Sequence, residues 1–544
     1  PNLNGNEEAD QSYYYGYALD MSDQDVPGST SGSYVVVGQP RSNWDDTDVM
    51  TETGEVYVYQ LQLDGSDVVW NFKQRIQDTY VPGLAANAAG KAFGHAVSIT
   101  PDGNTLVIGA PTIAYGSVDP EVSGQNHSAA VYTKNATGTF VKIQDIDFRD
   151  IYNITGKLGL RCEISDDAST IVFSDYNYAS NNGIVAVFKK AGSSYNSFQL
   201  IDHITSNWSD GSLTGQDLAI SGDGSVIAIG QPNPTGEGSV LVYKYTNGGY
   251  QLAATLFGND NNNNGFEFGY SVDMTPDGET IVVGSPGFNA DRGTVYTFTG
   301  NVNDGYTRDY ILAPNDEFYA AGQRTGHSVS IDKFASTIIA GAPYHGPDGR
   351  PAEFDITGEV GRVITFYNNA GTWTYANSYI PTGLRNNIKN TDVGLWYARQ
   401  FGSNAVIAPS GYQCVVGDFI TEEISILSPS KVNLNSEILN SAYNFTTDYS
   451  TGILESGNIT AGGTTIEIEL PDLWPTGIDS VQNYTIGDTT NVDGIIVSAS
   501  IVNRTLTISH TSDASGSSTI EILPPAAVRQ GLTLNSTIIK LNWV

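Results

Sequence analysis

Six pairs of landmarks in this chain stand the same distance apart. Gly94 to Gly109, Gly159 to Ser174, Gly215 to Gly230, Gly269 to Gly284, Gly326 to Gly341 and Gly402 to Gly417 each span 15 residues. A seventh pair, Gly16 to Gly38, spans 22. Each interval predicts two short strands about a tight turn. In the fifth unit Thr275-Pro276-Asp277-Gly278 puts Pro and Gly where a reversal needs them. A third strand, rich in β-branched and aromatic residues, follows at Thr294–Phe298, and a weaker apolar stretch follows that at Tyr306–Tyr310. So few strands cannot bury both of their faces alone, and such a unit needs copies beside it.

The copies carry a recognisable signature. The first landmark follows Tyr15, Phe93, Leu158, Thr214, Phe268, Thr325 or Phe401. The second opens Gly38-Gln39-Pro40, Gly109-Ala110-Pro111, Gly230-Gln231-Pro232, Gly284-Ser285-Pro286 and Gly341-Ala342-Pro343, and is degenerate at Ser174-Asp175 and Gly417-Asp418. Phe-Gly followed by Gly-Ala-Pro resembles the FG-GAP repeat of integrin α-subunit propellers. The resemblance covers Tyr15 to Leu427 and implies an extracellular adhesion or attachment role. Seven copies of four strands suit a seven-bladed β-propeller, in which a ring hides the sheet edges. The Asp-rich calcium loop of many such repeats is replaced here by turns such as Pro101-Asp102-Gly103, whose single carboxylate falls short of the six to eight oxygens calcium takes. Fold alone does not fix function.

The expected architecture is all-β: a propeller over residues 1–427, a linker at 428–441, and a β-sandwich over 442–544. Alternation such as Ile466-Glu467-Ile468-Glu469-Leu470 supports the sandwich. Ring closure is the open point. Residues 1–11 are polar, poor strand formers, and the seventh unit shows no fourth strand after Leu427. Cys162 and Cys414 replace apolar strand residues of distant units, which predicts two buried thiols and no disulfide.

The 59 acidic against 25 basic residues give a net charge of −34, which repels nucleic acid and anionic membranes. No stretch approaches the roughly 20 apolar residues of a membrane-spanning helix. No nucleophile elbow, zinc-protease or phosphate-loop motif occurs. His95 and His327 share one repeat position, which points to structure. The inner-strand residues two after the Gly are often small, as at Ala18, Ala96, Ser271 and Ser328, which suits packing near an axis.

Long insertions in units one, two and six gather on one face, and loops on a rigid scaffold are where sites usually lie. They supply the expected ligand-binding residues: Trp44, Asp45, Asp46, Asp48, Tyr115, Tyr344, His345, Arg350, Trp396, Tyr397 and Arg399. Aromatics with Asp and Arg suit a glycan or a protein partner. Asp260, Asn262 and Asn264, with Gly265, match the first half of a calcium loop whose closing acid is missing. Calcium is the one cofactor this pattern suggests. The sequence therefore predicts a protein that is not an enzyme: an extracellular, cell-surface or virion-surface attachment protein, recognising a glycan or surface protein and anchored through its C-terminal domain. A secreted carbohydrate-active hydrolase or lyase and a purely structural subunit contacting sister subunits are the alternatives. An acidic cluster at the mouth of the axis would favour the enzyme.

Overall fold

The computed structural model describes residues 2–4, 15–23, 33–40, 54–64, 67–77, 92–111, 127–147, 158–190, 197–205, 211–233, 238–258, 267–314, 321–344, 361–369, 371–379, 401–411, 413–418, 423–427, 446–448, 453–459, 465–469, 485–491, 496–502, 505–510, 516–523 and 537–543. Seven four-stranded antiparallel sheets form, one for each repeat. In the fifth blade the strands run Ser271–Met274, Thr280–Ser285, Thr294–Asn301 and Gly305–Leu312, in that order from axis to rim. The innermost strands neighbour one another in sequence order and the seventh neighbours the first, so the ring is closed. The repeat is thus a seven-bladed propeller.

Closure comes from a segment whose composition argued against a strand. Asn2–Asn4 pairs antiparallel with Glu423–Leu427 and supplies the fourth strand that the seventh blade lacks. Strand propensity is a weak preference that an available edge overrides. The last blade offered that edge, and residues from the opposite terminus pair with it.

The Gly landmarks are contacts between blades. A Cβ on Gly38 would collide with the carbonyl oxygen of Gly94 in the next blade, and one on Gly341 with that of Gly402. At the closing junction the same position of Gly417 would lie 2.8 Å from the Gly16 oxygen. Where the third blade carries Ser174 instead, its hydroxyl donates to the Gly215 carbonyl at 2.6 Å. The fixed interval therefore measures one hairpin and brings each blade's second strand against its neighbour.

The core lies between blades. Odd inner-strand positions, such as Leu19, Met21, Val97, Ile99, Cys162 and Ile164, join the buried clusters. Cys162 and Cys414 are buried free thiols. Six blades share a β-bulge in the outer strand, for example at Ile143, opposite Val131 and Tyr132, and bulges blunt an exposed edge. Just beyond it at the rim, Gln74 accepts the N–H of Phe140 and donates to its carbonyl, at 2.8 and 2.9 Å. Gln144 repeats this on Phe198 at 2.7 and 2.9 Å.

The C-terminal region contains a five-stranded and a three-stranded sheet. Ile453–Ile459 pairs parallel with Thr537–Trp543 in the larger one. Among the described residues no helix is long and apolar enough to cross a membrane.

Candidate functional site

The innermost strands of all seven blades line one axial cavity of about 280 Å³. A strand places successive side chains on opposite faces. With odd positions in the core, the residues two and four after the landmark Gly turn to the axis. The first, third and seventh inner strands alternate half-buried and buried accordingly. Position two includes Arg161, Asp217 and Asn404. Position four includes Asp20, Ser98, Glu163, Asp273 and Ser330. The expectation that the position two after the Gly serves packing is therefore corrected at Arg161, Asp217 and Asn404. The signal was legible: Asp20, Glu163 and Asp273 stand at one repeat position, opposite the apolar ones.

Four carboxyl groups thus face a small space. Burial pushes Asp20 up to about 7, against the N–H groups of Ile99 and Met21, which favour its charge. Burial pushes Asp217 up to about 6, with Arg161 opposing, and Asp273 likewise up to about 6. Glu163 is held well above the ordinary carboxylate range by burial, then by the charges of Asp20, Asp217 and Asp273. Desolvation penalises the charged form and like neighbours add to it. Arg161 lies 4.0 Å from Asp217, donates to the Leu160 carbonyl at 3.0 Å and stands 5.7 Å over the Tyr176 ring.

Aromatic rings line one end of the cavity. Tyr17 packs on His95 with ring centroids 4.7 Å apart, and Tyr270 on His327 at 4.8 Å. Each His Nδ1 meets a carbonyl of the following blade: Leu160 at 3.1 Å and Ser403 at 3.2 Å. Burial, with Arg324 and Arg161 adding, holds His327 down to about 4. It is neutral at pH 7, so Nδ1 carries the proton for Ser403 and Nε2 accepts the Tyr270 hydroxyl at 3.2 Å. The repeated His position is structural, as its repetition suggested, and it also frames the cavity. Arg324 lies over both Tyr270 and Tyr344, 5.9 Å from each ring. It is set there by a one-turn segment, Phe288–Asp291, whose Asp291 carbonyl accepts the Arg324 N–H at 2.8 Å.

The hairpin turns line the opposite end, through Pro101, Pro276, Pro409, Asp166 and Lys333. Backbone bonds tie one blade's turn to the next, as from Lys333 to Pro409 and from Gly222 to Pro276, both 2.8 Å. Lys333 reaches Asp23 two blades on, at 2.5 Å.

Of the ligand residues expected from the sequence, Tyr344 is placed at the aromatic end, 6.2 Å from His327. Trp44, Asp45, Asp46, Asp48, Tyr115, His345, Arg350, Trp396, Tyr397 and Arg399 lie outside the described residues, as do Asp260, Asn262 and Asn264. Among the described residues no three His, Cys, Asp or Glu side chains are grouped to hold a metal ion.

No protein-family model matches the chain, and no curated protein matches it. It is similar to solved propellers. One is the Cps50 (Swd1) β-propeller domain of Myceliophteria thermophila, at 9% identity and TM-score 0.43, covering 73% of this chain and 93% of that one. Another is the periplasmic gluconolactonase of Pseudomonas aeruginosa, at 13% and 0.42, covering 75% and 92%. A third is a putative 6-phosphogluconolactonase of Bacteroides fragilis, at 14% and 0.40, covering 66% and 82%. The expectation that the chain is not an enzyme is corrected here, because two of these propellers are named as lactonases and the scaffold gives no ground for excluding catalysis. At these values the likeness brings no reaction or substrate to this chain, and the propeller assignment stands on the sheet topology above.

Proposed function

We propose that the chain is a glycan-acting hydrolase whose active site is the axial cavity. One observation carries this reading: carboxyl groups poised near neutrality share a cavity with a rim of Tyr and His rings. General acid–base catalysis works best when the group titrates near the working pH. Aromatic faces suit the apolar faces of sugars while the carboxyls and Arg161 suit their hydroxyls. A volume of about 280 Å³ is at the small end for ligand sites, which run about 300–1,000 Å³, and fits the terminal unit of a chain.

Recognition of the rest of the glycan falls to the loop-bearing face. Tyr344 supports this, since it stands beside His327 and leads directly into the insertion that carries His345 and Arg350. On this reading the chain is an FG-GAP-type propeller without the calcium turn, acting outside a cell or on a particle surface. The C-terminal sheets, packed as a sandwich, anchor it in its assembly. The test is release of reducing ends from a panel of polysaccharides and aryl glycosides by the full chain. Saturable release should be found with at least one of them. Binding without release from any would leave a recognition module and remove the enzyme.

A further inference from the structure

We propose that Glu163 is the proton donor of the axial cavity, and that Asp20, Asp217 and Asp273 are staples holding neighbouring blades together. This rests on the hydrolase reading above. The distinction lies in what each carboxyl touches. Asp20 accepts the N–H of Ile99 in the next blade at 2.6 Å and that of Met21 at 2.8 Å. Asp217 accepts Val272 of the next blade at 2.8 Å. Asp273 accepts Ile331 of the next blade at 2.8 Å, Met274 at 2.8 Å and the Ser330 hydroxyl at 2.9 Å.

The staple has a rule. A side chain four after the Gly accepts the N–H five after the Gly of the following blade. Asp20 does so for Ile99, Ser98 for Ile164 at 3.2 Å, Asp273 for Ile331 and Ser330 for Ile407 at 3.3 Å. Glu163 occupies that station and does not follow the rule. Among the described residues its one hydrogen bond comes from the Ser98 hydroxyl to Oε2, at 3.0 Å. Being one methylene longer than Asp, it overshoots the N–H an Asp meets from there. Oε1 is left to the cavity that Glu163 lines. Ser98 is a positioning residue: the Ile164 N–H occupies its oxygen and turns its proton to Glu163.

In the reaction Glu163 gives its proton to the glycosidic oxygen as the bond from that oxygen to the anomeric carbon breaks. A water molecule bonds to that carbon, its released proton returns to the carboxylate, and the acid is restored.

The test uses the full chain and three variants: Glu163→Gln, Glu163→Ala and Asp273→Ala. A water-soluble carbodiimide with glycine ethyl ester, followed by peptide mass mapping, should label Glu163 in the native protein and leave Asp273 unlabelled until it unfolds. Both Glu163 variants should melt close to the parent, and Asp273→Ala clearly lower. Glu163→Gln should lose about 10²–10⁴-fold of any glycan hydrolysis found, the usual range for a general acid. Protection of Glu163 from labelling, a Glu163→Ala melt as low as that of Asp273→Ala, or hydrolysis retained by Glu163→Gln would each overturn the assignment. Native labelling and dispensability for folding, with no glycan cleaved by the parent, would remove the hydrolase and leave Glu163 as the free carboxyl of the cavity.

Discussion

The hub and the rim of this propeller solve the same problem with different chemistry. Both must join one blade's backbone to the next through a side chain. At the rim Gln74 and Gln144 do it with a neutral amide that accepts and donates at once. At the hub Asp20, Asp217 and Asp273 do it with carboxyls crowded round one cavity, each raised by burial. Ser98 and Ser330 show that an uncharged group suffices there too. Four facing carboxyls therefore exceed what stapling requires. Departures from the cheapest structural solution concentrate where function is.

The comparison can be broken by substitution. The largest effect is expected where blades touch without side chains: Gly341→Ala drives a Cβ into the Gly402 carbonyl, and overpacking of this kind costs about 1–3 kcal/mol or more. Chemical denaturation should place it at or beyond the upper end. Next comes Asp273→Ala, which strands the N–H groups of Ile331 and Met274 in a largely buried site, at about 1–3 kcal/mol. Asp273→Asn keeps an acceptor and should cost less. A rim substitution, Gln74→Ala, should cost about 1 kcal/mol, because the bonds it removes join neutral groups, which contribute less than bonds to a carboxylate. Equal losses at hub and rim would remove the contrast.

A pH scan sharpens the same contrast with a smaller effect. Asp20, Asp217 and Asp273 hold protons more tightly folded than unfolded. Their contribution is fully present below about pH 4 and is lost as pH rises through 6 to 7. His327 works oppositely, since its folded value near 4 lies below the unfolded 6.5; its contribution is present above 6.5 and lost as pH falls towards 4. The two oppose each other between 4 and 6.5, and above 6.5 the carboxyls act alone. The melting temperature should therefore fall by a few degrees from pH 6.5 to 8. Asp20→Asn, which removes the group held highest of the three, should flatten that slope, whereas Gln74→Ala should leave it unchanged. Arg161, Glu163 and Ser98 face these groups across the cavity, so the slope reports the cluster as a whole.

Sequence alone determined the blade count, the hairpin length and the spacing of the landmarks. Those are local and periodic, so each copy repeats the same instruction: a Gly where no Cβ fits, Pro and Gly where the chain reverses, alternating apolar residues between. The tertiary structure decided what no single copy contains. Asn2–Asn4 became a strand because an edge was waiting for it at the far end of the chain. Arg161, Asp20, Glu163, Asp217 and Asp273 came together because the ring points one face of every inner strand at a common axis. A carboxyl's proton affinity depends on that company and on the water excluded with it, and neither is written in the residue itself.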